Sequence, residues 1–76
     1  MVRVLVVDDD EAILSLLGSY LAREGFEVQT AGNGDAALVA ARTFRPDVVV
    51  LDVLLPGVDG LEVLRRLRAE GEPYVI

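Results

Sequence analysis

Apolar residues recur along this chain in two alternating periods. Val2 to Val7 is a β-branched run interrupted only by Arg3, the pattern of a strand buried on both faces. Asp8-Asp9-Asp10-Glu11 stops it with acids suited to a helix N-terminus. Ile13, Leu17 and Leu21, with Leu14 and Leu16 alongside, form an apolar stripe at helical spacing, and Gly25 reads as the helix stop. Phe26 to Ala31 alternates apolar and polar, as a strand with one wetter face does. Gly32-Asn33-Gly34 is a loop, and Asp35 is the predicted cap of a helix through Ala36, Ala37, Leu38, Ala40 and Ala41. Arg45-Pro46-Asp47 ends that helix. Val48 to Leu51 is a third, fully apolar strand with Asp52 at its carboxyl end. Leu55 to Gly60 is a loop, and Leu61, Val63, Leu64 and Leu67 mark a third helix. Its last turns carry Arg65, Arg66 and Arg68, where the helix dipole favours cations. Gly71 to Pro73 breaks it, and Tyr74-Val75-Ile76 begins a fourth strand.

The order β-α-β-α-β-α-β predicts an α/β fold: an open parallel sheet with helices on both faces. With 76 residues, of which 53% are hydrophobic, the chain is one domain and too apolar to be disordered. It has no cysteine and no histidine, so disulfides, thiolate zinc sites and histidine acid/base chemistry are excluded. All seven basic residues are arginine, which excludes a Schiff-base or phosphate-loop lysine. The net charge of −6 argues against direct nucleic-acid binding by this segment. No apolar run approaches the roughly 20 residues that span a bilayer. The acids that end the first strand do not suit a signal peptide, so the expected location is cytoplasmic, without membrane association.

The chemistry concentrates in the acids. Open parallel sheets gather functional groups at the carboxyl ends of their strands, near a topological switch point. The first and third strands are the two most apolar and the natural neighbours there, which brings Asp8, Asp9 and Asp52 into one pocket. Clustered carboxylates repel unless a cation neutralises them, and Mg2+, a hard ion liganded by oxygen, is the fitting one. For Asp10, Glu11 and Asp35 the expected role is helix capping and solvation.

Three stretches carry a family resemblance: Val4-Leu5-Val6-Val7-Asp8-Asp9-Asp10, the run Asp47-Val48-Val49-Val50-Leu51-Asp52-Val53-Leu54-Leu55-Pro56-Gly57, and Val58-Asp59-Gly60-Leu61-Glu62. Together they resemble the receiver domain of two-component response regulators, over essentially the whole chain. The resemblance implies a flavodoxin-like receiver fold of strand order 2-1-3-4-5. It implies Asp52 as phosphoacceptor, served by a sensor histidine kinase or a small phosphodonor. It further implies Mg2+ bound directly by Asp9 and Asp52, by the Leu54 backbone carbonyl, and by Asp8 through water, with Pro56 and Gly57 shaping the following loop. The parent regulator is expected to control transcription and to be a switch, not a turnover enzyme.

The family's Thr or Ser at the end of strand four and its Lys at the end of strand five have no counterpart before Ile76. Residues 1–76 are therefore expected to form an incomplete receiver, truncated after the start of the fourth strand, with no linker or output domain. Phosphorylation is expected to be slow or absent. Self-association through the truncated sheet edge is a further expectation. The alternatives are an inert βα fragment acting as a folding or self-assembly scaffold, and a dinucleotide-binding half-domain using Gly32, Gly34 and Ala37. A phosphohydrolase is disfavoured, because Asp52-Val53-Leu54 lacks a second Asp to act as acid/base.

Overall fold

A computed structural model of the chain describes residues 1–52, 60–70 and 74–76. Its elements run β1 (Arg3–Val7), α1 (Glu11–Arg23), β2 (Glu27–Ala31), α2 (Gly34–Phe44), β3 (Val48–Leu51), α3 (Gly60–Glu70) and β4 (Tyr74–Val75). The strands form one parallel sheet in the order β2-β1-β3-β4. The expected α/β class, element order and sheet type are therefore present. Of the expected loop at 55–60, residues 55–59 lie outside the described residues, as does the expected break at 71–73, whereas Gly60 is helical and opens α3.

β1 is the central member of the first three strands. Val4 pairs with Val28 on one side and Val48 on the other, and Val7 pairs with Ala31 and Leu51. Side chains alternate across a strand. Leu5 and Val7 therefore join Ala31 and Val49 on one face, where Ala37 and Leu38 of α2 and Val63 and Leu67 of α3 close the core. Val4 and Val6 point the other way and are buried on the face that α1 covers. Burying each such aliphatic side chain contributes roughly 1.5–3 kcal/mol.

The amino-terminal end of the sheet is closed by Arg3. Its backbone amide donates to Asp47 Oδ2 at 2.8 Å, and the Asp47 amide returns a bond to the Arg3 carbonyl at 2.8 Å. Its guanidinium donates to the Phe44 carbonyl at 3.1 Å and lies 6.0 Å from the centre of the Phe44 ring. One residue thus ties the start of β3 and the end of α2 to β1. The accompanying ion pair with Glu27, at 3.5 Å and half-exposed, adds little.

Three local expectations are corrected. Asp35 is not the cap of α2: the helix begins earlier, and the Asn33 side chain accepts the bond from Ala36 N at 2.8 Å. Asp35 instead lies in the first turn, where its charge complements the helix dipole. β3, though fully apolar in sequence, is fully buried only at Val49; Val48, Val50 and Leu51 are half-buried. In α1 the inward stripe is Leu14, Leu17 and Leu21, all half-buried, whereas Ile13 and Leu16 are exposed. The helix stop at Gly25 is as expected, just past the Glu24 cap of α1, with a positive φ of 96° that glycine adopts without strain. α2 ends on Arg45 at φ 53°, a left-handed cap at a non-glycine residue.

Two predictions follow from this packing. A Cβ added at Gly18, inside α1, would meet Thr30 Cγ2 at 3.6 Å, an ordinary contact. Gly18→Ala should therefore raise stability by roughly 0.5–1 kcal/mol through helix propensity, read as a higher denaturation midpoint. On α3, Arg65 Nη2 donates to both oxygens of Glu62, at 2.8 and 2.6 Å, and Arg66 Nε donates to Oε2 at 2.9 Å. These bonds, Arg65 first and Arg66 second, hold the Glu62 carboxyl below its ordinary value of 4.5. A carboxyl lowered on folding stabilises above its unfolded value, and that contribution is lost as pH falls through the folded one. Glu62→Gln should therefore lower stability at neutral pH, with the difference from the unsubstituted chain shrinking below about pH 4.5 in thermal melts.

Candidate functional site

β1 and β3 each stop at an acid for the same reason. Their interiors are apolar on both faces, so a carboxylate fits only where water first reaches the strand. The sheet ladder continues one step beyond the strands. The Asp8 amide donates to the Ala31 carbonyl at 3.1 Å, and the Asp52 amide donates to the Val7 carbonyl at 3.0 Å. Both residues are half-buried, and their backbones are fixed by the sheet rather than by a loop. Asp9, one residue further on, is exposed.

The three acids converge as the sequence suggests. One carboxylate oxygen each from Asp8, Asp9 and Asp52 lies within 4.8 Å of the others. They sit at the carboxyl ends of adjacent parallel strands, beside the crevice where the connection from β1 departs to β2 on one side and β3 lies on the other. A set of oxygen-only, anionic donors is chemically suited to a hard divalent cation. Leu54, expected to add a backbone carbonyl, lies outside the described residues, as do Pro56 and Gly57.

Asp10 caps α1, with its side chain accepting from Ala12 N at 2.9 Å and Ile13 N at 3.4 Å. Its own amide donates to Asp8 Oδ1 at 2.9 Å. Sequence reasoning placed Asp10 as a cap and missed this second bond; the signal was an Asp two residues before an amide, the spacing of a side-chain turn. The Gly32–Gly34 loop follows β2, on the outer side of the sheet from β3. Ala37 is fully buried in the core beneath it. Gly32 has no positive φ and open space around it, so nothing in the backbone demands glycine there.

The chain belongs to the response regulator receiver domain family, whose model matches residues 4–76. It is thus a signalling module of two-component response regulators and not a turnover enzyme. It is 52% identical over 69 residues to the probable transcriptional regulatory protein TcrX of Mycobacterium tuberculosis, a match covering 91% of this chain and 30% of TcrX. It resembles a chain in the crystal structure of histidine kinase ThkA in complex with response regulator protein TrrA. That likeness has TM-score 0.89 and 41% identity, over 99% of this chain and 66% of the other. It also resembles TrrA of Thermotoga maritima in complex with Mg(2+)-BeF, with TM-score 0.85 and 44% identity, over 92% of this chain and 61% of TrrA. The chain spans about a third or less of the length of the curated relatives it matches. Among the described residues no helix is long and apolar enough to cross a membrane.

Two unit charges 4.8 Å apart repel by about 0.9 kcal/mol even at the dielectric constant of water. Removing the exposed member relieves that repulsion without disturbing the sheet. Asp9→Asn should therefore stabilise the chain in chelator by up to about 1 kcal/mol after screening. In millimolar Mg2+ the gain should vanish or reverse. A loss of stability in chelator, measured by thermal melts, would show that the acids are not in mutual repulsion.

Proposed function

We propose that this chain is a phosphoacceptor receiver in which Asp52 takes a phosphoryl group from a sensor histidine kinase. The observation that carries the reading is the approach of Asp8, Asp9 and Asp52 to within 4.8 Å, in a chain of the receiver family. Two solved structures of one relative, TrrA, support it: one is a complex with the histidine kinase ThkA, and the other a complex with Mg(2+)-BeF.

In this reading an Asp52 carboxylate oxygen attacks phosphorus, an O–P bond forms, and the P–N bond to the donor imidazole breaks. The imidazole leaves with the bonding pair and is protonated. The product is an acyl phosphate, labile enough to serve as a signal. Asp52 is suited to this because its backbone is pinned to Val7, so the nucleophile is held in place before the donor arrives. Asp9 and Asp52 would hold Mg2+ directly, Asp8 through water, and the Leu54 carbonyl would complete the set. When bound, the ion offsets charge on the phosphoryl oxygens. We further propose a role in regulating transcription, which the name of its relative TcrX, a probable transcriptional regulatory protein, supports, and a cytoplasmic location.

Intact mass after incubation with acetyl phosphate and Mg2+ tests this directly. A phosphate adduct is expected on the unsubstituted chain and none on Asp52→Asn. Its formation on these 76 residues should be slow, because they include no lysine to compensate the phosphoryl charge. No adduct at any time would favour the inert scaffold reading.

A further inference from the structure

Asp10 is bonded to both the carboxylate pocket and α1. Its side chain accepts from Ala12 N and Ile13 N, and its carbonyl accepts from Leu14 N at 3.1 Å. Its backbone is extended, with φ −88° and ψ 109°. In that conformation the Asp10 amide is left out of the helix ladder, and it donates to Asp8 Oδ1 at 2.9 Å. The same residue thereby fixes the first turn of the helix and one oxygen of the Asp8 carboxylate.

We propose that Asp10 is a positioning residue, whose cap holds the Asp8 carboxylate at the pocket and so links Mg2+ binding to the order of the first turn of α1. The inference rests on the magnesium reading of the pocket given above. A carboxylate with one oxygen already bonded has fewer orientations to lose when a cation arrives. The link is reciprocal: what orders the turn tightens the pocket, and what fills the pocket orders the turn.

The test separates capping from charge. Asp10→Asn keeps an acceptor at the cap and removes the charge; Asp10→Ala removes both. Calorimetric titration with Mg2+ should show Asp10→Ala binding about tenfold more weakly than Asp10→Asn, the low end for partners of metal-ligating side chains. Asn33→Ala deletes the cap of α2, which does not bond Asp8, and should bind Mg2+ as the unsubstituted chain does. In the unsubstituted chain and in Asp10→Asn, saturating Mg2+ should slow amide exchange at Ala12 and Ile13. Equal affinities for the Asp10→Asn and Asp10→Ala variants overturn the proposal, as does an equal loss in Asn33→Ala. Should Asp10→Ala fail to fold, unchanged Ala12 and Ile13 exchange in the unsubstituted chain at saturating Mg2+ overturns it equally. A chain that binds no Mg2+ at all would instead defeat the pocket reading, and this inference with it.

Discussion

The two-sided burial of β1 governs the rest of the molecule. Val4 to Val7 are each at most 4% exposed, with neighbours along both backbone edges and a layer on either face. Nothing charged fits among Val4 to Val7, so the polar chemistry of β1 lies at its exposed first residue, Arg3, and at the first position beyond it, Asp8. β3, its neighbour, ends the same way. The parallel register then fixes which acids meet: Val7 pairs with Leu51, so Asp8 and Asp52 follow side by side. The site is a by-product of register, and its backbone inherits the rigidity of the sheet.

Much of this was legible in the order of residues. Acids closing runs of valine and leucine marked the strand ends, and adjacency of the two most apolar strands brought Asp8, Asp9 and Asp52 together. What was not legible depends on tertiary covering or on competing local bonds. Asn33 and Asp35 are both capable caps two positions apart, and only backbone direction decides which oxygen reaches an amide. Val48 and Val50 read as core, yet their burial depends on what lies over the sheet, which a strand's own composition does not encode. The inward edge of α1 was ambiguous for a similar reason, since Ile13, Leu14, Leu16 and Leu17 are equally apolar and adjoin around the helix.

The two faces of the sheet differ in how firmly they are held. α2 and α3 bury Ala37, Leu38, Val63 and Leu67 in a shared core, whereas α1 has no buried residue. Local opening is expected where apolar contacts are few. The helix attached to the carboxylate pocket is therefore the one most easily reordered. The acid-bearing ends of the sheet stay fixed while the layer beside them remains responsive.

Each described helix carries an acid in its first turn and an arginine in its last: Glu11 and Arg23 in α1, Asp35 and Arg42 in α2, Glu62 and Arg68 in α3. Because all strands are parallel, all three helices run antiparallel to them, and these charges sort to opposite ends of the domain. The pocket acids add to one end and Arg3 and Arg45 to the other. The protein is thus polarised along its strands, with its net charge of −6 weighted toward the pocket. An approaching cationic surface would be turned toward the carboxylates before contact, within the roughly 8 Å over which physiological salt leaves such fields effective.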